Sequence, residues 1–246
     1  MLTKSLAILL ITLYLLMPQK HTTVYMIGDS TMANKQPDKF PETGWGMPFS
    51  SMFNSSVTVD NRALNGRSTK SFINEKRWQP IVDALKEGDY VFIEFGHNDE
   101  KVDKPAVGTS IEEFKTNLIK FITETRAAKA TPILLTPVNR WKFDSLGHFQ
   151  DTHGAYPDAV REVSKTYNVP LIDMYQKTKL LMEKVGVEAS HKWFNQLEKG
   201  EHPNYPNGIK DNTHFSPAGA KQMADLAVEG LKELHIDLYT QLVNNK

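Results

Sequence analysis

The sequence contains no cysteine, and that absence excludes disulfides, thiolate zinc sites and cysteine nucleophiles together. It also lacks net charge, since 29 lysine and arginine residues balance 29 aspartate and glutamate residues. No bulk field draws the chain to nucleic acid or to an anionic membrane, so the expected partner is a neutral or locally recognised molecule. Internal repeats, low-complexity linkers and a second-domain boundary are missing. Near the start, Lys4 precedes a leucine- and isoleucine-rich run, Leu6–Met17. Its length suits the h-region of a signal peptide and falls short of a bilayer span. Residues 1–20 are therefore read as a signal peptide or N-terminal anchor, with export to the periplasm or the medium and no integral membrane domain. Leu16-Met17-Pro18-Gln19-Lys20 lacks the small-x-small pattern of a cleavage site. With 246 residues and 40% hydrophobic content, the chain can build one large core, expected over residues 21–246.

What is present alternates. Apolar runs rich in β-formers predict strands beginning near Thr23, Val57, Tyr90, Pro132 and Val169. Amphipathic segments predict helices after Gly44-Trp45-Gly46 and over Trp78–Leu85, Ser110–Lys129, Tyr156–Tyr167 and Leu180–Val187. The last helix starts at Ser216-Pro217, a cap followed by a first-turn proline, and runs to about Leu234. Strands alternating with helices imply right-handed crossovers. The fold class expected is α/β, a three-layer α/β/α sandwich with a parallel, flavodoxin-like sheet and the Val57 strand at an edge beside the Thr23 strand. Lys35–Gly44, Lys101–Gly108 and Asn139–Gly154 read as polar loops, and Ser190–Gly208 as irregular and aromatic.

In such a sheet ligands bind at the carboxyl ends of the strands. Three polar motifs fall there: Gly28-Asp29-Ser30, Asn65-Gly66-Arg67-Ser68 and Gly96-His97-Asn98-Asp99. Acyl transfer needs a nucleophile, a base oriented by an acid, and donors for the oxyanion. Ser30 is the candidate nucleophile. Asp211 and His214, from the loop before the last helix, supply an acid and a base at a spacing of three. The backbone N–H groups of Ser30 and Gly66 and the Asn98 amide are the candidate oxyanion donors.

These motifs resemble those of the SGNH (GDSL-type) hydrolases, in family order and over nearly the whole chain after the export segment. Gly28-Asp29-Ser30 matches the first block, Asn61 through Gly66 the glycine block, Gly96-His97-Asn98-Asp99 the asparagine block, and Asp211-Asn212-Thr213-His214 the last. Gly28-Asp29-Ser30-Thr31-Met32, Phe95-Gly96-His97-Asn98-Asp99 and Asp211-Asn212-Thr213-His214-Phe215 are similar, more narrowly, to the rhamnogalacturonan acetylesterase branch. The resemblance implies removal of acetyl groups from pectic sugars with no metal and no cofactor. Thr31-Met32 stands where typical GDSL lipases have Ser-Leu, which favours that branch over a lipase.

Alternatives remain: a lipase or thioesterase of the same fold, or a carbohydrate-binding protein without catalysis. None of His148, His153, His191 and His202 pairs at the i, i+4 spacing of a helical metal motif, so no metal is expected. Asp99 is read as an orienting or substrate-side group, and His97 as structural. Trp141 and Trp193 lie in loops that could border the site and stack on sugar rings. Arg140 is a candidate for meeting a uronate carboxylate.

Overall fold

The computed structural model describes residues 21–243, so the apolar run Leu6–Met17 and its export reading lie outside the described residues. Strands β1 (Thr22–Gly28), β2 (Val57–Asn61), β3 (Tyr90–Glu94), β4 (Thr131–Leu135) and β5 (Leu171–Ile172) form one sheet in the order β2-β1-β3-β4-β5. Every pairing is parallel, as the alternation of strands and helices requires. This is the flavodoxin-like order, with β2 at the edge beside β1.

The eight helices described are α1 (Gly46–Ser50), α2 (Thr69–Asn74), α3 (Gln79–Ala84), α4 (Ile111–Ala127), α5 (Tyr156–Tyr167), α6 (Met174–Val185), α7 (Val187–His191) and α8 (Pro217–Glu233). Side chains alternate across a strand, and here they sort into two cores. Val24, Met26, Phe92, Ile133 and Leu135 face one cluster, which Phe49 of α1, Met182 of α6 and Ala224 and Leu231 of α8 complete. Tyr25, Ile27, Val91, Ile93 and Leu134 face the other, with Phe72 of α2, Ile81 of α3, Phe114 and Phe121 of α4 and Val160 of α5. Both faces of the sheet are therefore covered, which explains the near-continuous apolar character of β3.

The structure departs from the sequence reading in three places. The fifth strand is two residues long, because Asp173 ends it by accepting from the Gln176 N–H and capping α6, which starts six residues earlier than expected. Helix α2 was not anticipated. Ser68 and Ser71 form a reciprocal capping box at its start, so the chain after Asn65-Gly66 enters a helix. Third, Ser190–Gly208 is not irregular throughout: β6 (Phe194–Leu197) pairs antiparallel with β7 (Ile209–Phe215) in a separate two-stranded sheet. Asp211 and His214 thus lie on a strand and not in a loop. Among the described residues no helix is long and apolar enough to cross a membrane.

Candidate active site

Strand β1 ends at Gly28, where a side chain has no room: a Cβ there would lie 2.7 Å from the Glu94 carbonyl oxygen of β3. The chain then turns, with the Ala33 N–H donating to the Asp29 carbonyl (3.1 Å), and sets Ser30 at the sheet rim, nearly buried. The β6/β7 hairpin brings His214 to it. In the ladder Phe194 pairs with Phe215 and Asn195 with Asp211, so residues 212–214 bulge out of register. A bulge re-aims side chains. Here it folds the His214 ring back over Asp211.

The result is one hydrogen-bonded chain. His214 Nδ1 lies 2.7 Å from Asp211 Oδ2, and His214 Nε2 lies 2.8 Å from Ser30 Oγ. A carboxylate facing Nδ1 places the ring proton there, so Nε2 accepts from the serine hydroxyl. Asp211 Oδ1 in turn accepts from the backbone N–H groups of Thr213 (2.8 Å) and His214 (3.0 Å). Burial works against the Asp211 charge, but these bonds and the His214 side chain outweigh it and hold the carboxyl below its ordinary value. That arrangement meets the requirement for activating a serine: a base on the hydroxyl, and an acid fixing the base.

The expected oxyanion donors lie in turns that hydrogen bonds tie together. The N–H groups of Ser30 and Gly66 bond to no group among the described residues. Gly66 has φ +79°, a conformation that favours glycine. Asn98 Nδ2 donates one proton to the Arg67 carbonyl (3.0 Å), and its Oδ1 accepts from Lys101 Nζ (2.7 Å). The second amide proton is left for a ligand. Lys35, which the sequence reading passed over as a loop charge, ties these parts together. Its side chain is 1% exposed, and Nζ reaches the Ser30 carbonyl (2.6 Å), Asn65 Oδ1 (3.0 Å) and Glu42 Oε1 (2.6 Å). One buried ammonium thus fixes the serine turn against the Gly66 turn.

A family model described as the GDSL-like Lipase/Acylhydrolase family matches residues 26–222. The chain belongs to that family. It is 41% identical to the rhamnogalacturonan acetylesterase RhgT of Bacillus subtilis, over 94% of this chain and 98% of that one. The rhamnogalacturonan acetylesterase of Emericella nidulans is 30% identical, over 89% and 88% of the two chains. Among solved structures, the Bacillus subtilis protein YxiM matches with a TM-score of 0.75 and 26% identity, covering 88% of this chain and 57% of that one. The acetylxylan esterase Axe2 of Geobacillus stearothermophilus shares the fold at 17% identity, with a TM-score of 0.61 over 90% and 98% of the chains.

Within this family scaffold the remaining expected residues divide. Asp99 is fully buried: its carboxyl accepts from Thr69 N (3.1 Å), Thr69 Oγ1 (2.5 Å) and Thr109 Oγ1 (3.3 Å). It anchors the start of α2. Arg140 is also committed elsewhere. Nη2 pairs with Glu100 Oε1 (2.5 Å), and the guanidinium donates to the carbonyls of Thr152 (3.2 Å) and His97 (3.4 Å). Glu100 bonds His153 Nδ1 as well (2.8 Å), so Arg140 is part of a partly buried tether between loops. Trp193 packs partly buried against the core, and its carbonyl accepts from the Ser216 N–H at the start of α8. Trp141 borders a pocket beside β7. His97 is buried edge-on against His153, at 4.5 Å between ring centres, and burial followed by the His153 charge holds it well below its ordinary value.

Beneath Ser30 sits a second feature that the motifs did not announce. Asp29 and Glu94 are both fully buried; Glu94 accepts from Trp45 Nε1 (2.5 Å) and the Val138 N–H (3.1 Å), while Asp29 Oδ2 has no partner. Burial, and next the Asp29 charge, push Glu94 up to about 8. The folded chain therefore keeps a proton that an unfolded glutamate has released above about pH 5, and raising the pH toward 8 favours unfolding. His97 has the opposite sense, but it stops contributing above its ordinary value of 6.5, where the unfolded ring is neutral too. Between about pH 6.5 and pH 8.5 the melting temperature should fall by roughly 4–8 °C in scanning calorimetry. Asp99, which burial pushes up to about 7, gives up a folded-state proton in the same window and adds to the fall, so a flat or rising profile would remove the proton from both carboxyls.

Proposed function

We propose that this protein is a serine esterase that removes O-acetyl groups from carbohydrate, with acetylated rhamnogalacturonan as its substrate. The observation that carries the proposal is the 2.8 Å contact between His214 Nε2 and Ser30 Oγ, in a chain 41% identical to a named rhamnogalacturonan acetylesterase. His214 takes the Ser30 proton as Oγ attacks the acetyl carbonyl. The oxyanion that forms meets the N–H groups of Ser30 and Gly66 and the free amide proton of Asn98. His214 then gives the proton to the sugar oxygen as its bond to the acetyl carbon breaks, which frees the sugar hydroxyl and leaves acetyl on Ser30. Water enters, its proton passing to the same nitrogen as its oxygen attacks the acetyl carbon; the proton then goes to Ser30 Oγ as the acetyl C–Oγ bond breaks and acetate leaves, while Asp211 stabilises the charged ring at each passage. Export, supported by the Leu6–Met17 run alone, belongs to the same proposal and places the enzyme where the polymer is.

The side chains holding the Ser30 turn support a short acyl group. Thr31, Lys35, Asn65, Asn98 and His214 are polar, whereas a fatty-acyl chain needs an extended apolar trench to offset its desolvation. Initial rates on p-nitrophenyl acetate, butyrate and octanoate should give kcat/KM for acetyl at least about tenfold above octanoyl. Acetate release from acetylated rhamnogalacturonan fragments should exceed release from acetylated xylan fragments. Octanoyl preference would return the chain to the lipase reading, and release from xylan alone would overturn the pectic substrate.

A further inference from the structure

Because Glu100 occupies Arg140, an acidic sugar needs another cation, and the structure offers one beside the hairpin that carries His214. An open pocket of about 420 Å³ lies there, within the size range of small-molecule sites. Trp141, His191, Gln196, Glu198, Lys210 and Asn212 line it. The Trp141 and His191 rings pack on each other, 4.4 Å apart at 49°, and form the aromatic side of the pocket. Trp141 Nε1 donates to the Val187 carbonyl and to Ser190 Oγ, each at 3.2 Å, which pins the indole by its edge. Lys210 is exposed and makes no ion pair among the described residues.

The pocket and the Ser30 site are parts of one hydrogen-bonded unit. Gln196 Nε2 donates to the Asp211 carbonyl (2.8 Å) and to Asn212 Oδ1 (2.7 Å), and the Trp141 N–H donates to the Asn212 carbonyl (2.8 Å). Two residues of chain, at most about 7 Å, separate Asn212 from His214. A neighbouring sugar of an oligosaccharide held by its acetyl group at Ser30 has to span a distance of that order to reach these rings.

We propose that the pocket is a subsite for an acidic sugar of the substrate, its ring lying on Trp141 and its carboxylate meeting Lys210. The inference rests on the carbohydrate esterase reading. A sugar presents a C–H face to an aromatic ring while its hydroxyls stay polar, and Gln196, Asn212 and Glu198 offer donors and acceptors around that face. The lysine is a point charge in water, so it selects by a modest factor, and the aromatic face supplies most of the affinity.

The test uses the full chain carrying Ser30→Ala, which binds without turnover. It is titrated calorimetrically with a deacetylated oligosaccharide of alternating rhamnose and galacturonate, and with a neutral xylo-oligosaccharide of equal length. The acidic ligand should bind more tightly than the neutral one. Adding Trp141→Ala should weaken its Kd by about tenfold or more, and adding Lys210→Gln by about fivefold. The lysine effect should vanish for the neutral ligand and shrink at high salt, and Lys210→Arg should restore it. Unchanged affinity in both variants, equal loss for the neutral ligand on Lys210→Gln, or a parent that does not prefer the acidic ligand would each overturn the subsite. Acetate release by the unmodified enzyme is measured in parallel. If acetate is released while the binding results fail, the subsite alone is wrong; if no acetylated carbohydrate yields acetate, the substrate reading itself is wrong.

Discussion

Ser30→Ala should lower kcat on p-nitrophenyl acetate by at least roughly a thousandfold and leave the fold intact. The loss is large because Oγ is the attacking atom, and neither His214 nor the oxyanion donors can replace it. The fold survives because Ser30 is held by its backbone: its carbonyl accepts from Lys35 Nζ, and Asp29 and Thr31 bond their own neighbours. Removing one oxygen at the rim opens no cavity in either core. A circular dichroism spectrum and melting curve matching the parent are part of the expected result. A variant keeping more than about a tenth of the parent rate would require a different nucleophile.

Asn98→Ala should cost about a hundred- to a thousandfold in kcat while moving KM little. One amide proton is spent on the Arg67 carbonyl, and the other is free for the oxygen on which charge develops. A donor used mostly in the transition state changes kcat, whereas one used equally by bound substrate changes KM. The substitution also cuts the tie to the strand-end turn that presents Gly66, so both effects act on the same oxyanion. A loss confined to KM would assign Asn98 to substrate binding and leave the N–H groups of Ser30 and Gly66 as the only donors.

The sheet and the side chains of the Asp211–His214–Ser30 chain were legible in the sequence because each obeys a local rule. β1 and β3 announce themselves by apolar runs, and Ser30, Asn98, Asp211 and His214 by motifs at strand ends. The β6/β7 hairpin was not, since Asn195, Gln196, Lys210, Asp211 and Asn212 break any apolar alternation and the pairing is long-range. Lys35 gave no signal, because a lysine in a polar loop looks the same whether it is solvated or buried on the Ser30 carbonyl. Arg140 and Asp99 show the converse limit: the sequence does not reveal which partners they take, and for Asp99 the structure shows an orienting role at the start of α2. Their side chains suit substrate binding, but partners distant in sequence, Glu100 for the arginine and Thr69 for the aspartate, use them up.

The most direct test of the account is to quench the enzyme during turnover of an acetylated rhamnogalacturonan oligosaccharide and to map the digested chain by mass spectrometry. The account predicts one added acetyl group, on the peptide carrying Ser30, absent from Ser30→Ala and accumulating when Asp211→Asn slows the return of water. Acetate released with no acetyl on any peptide, or with the acetyl on another residue, would contradict it.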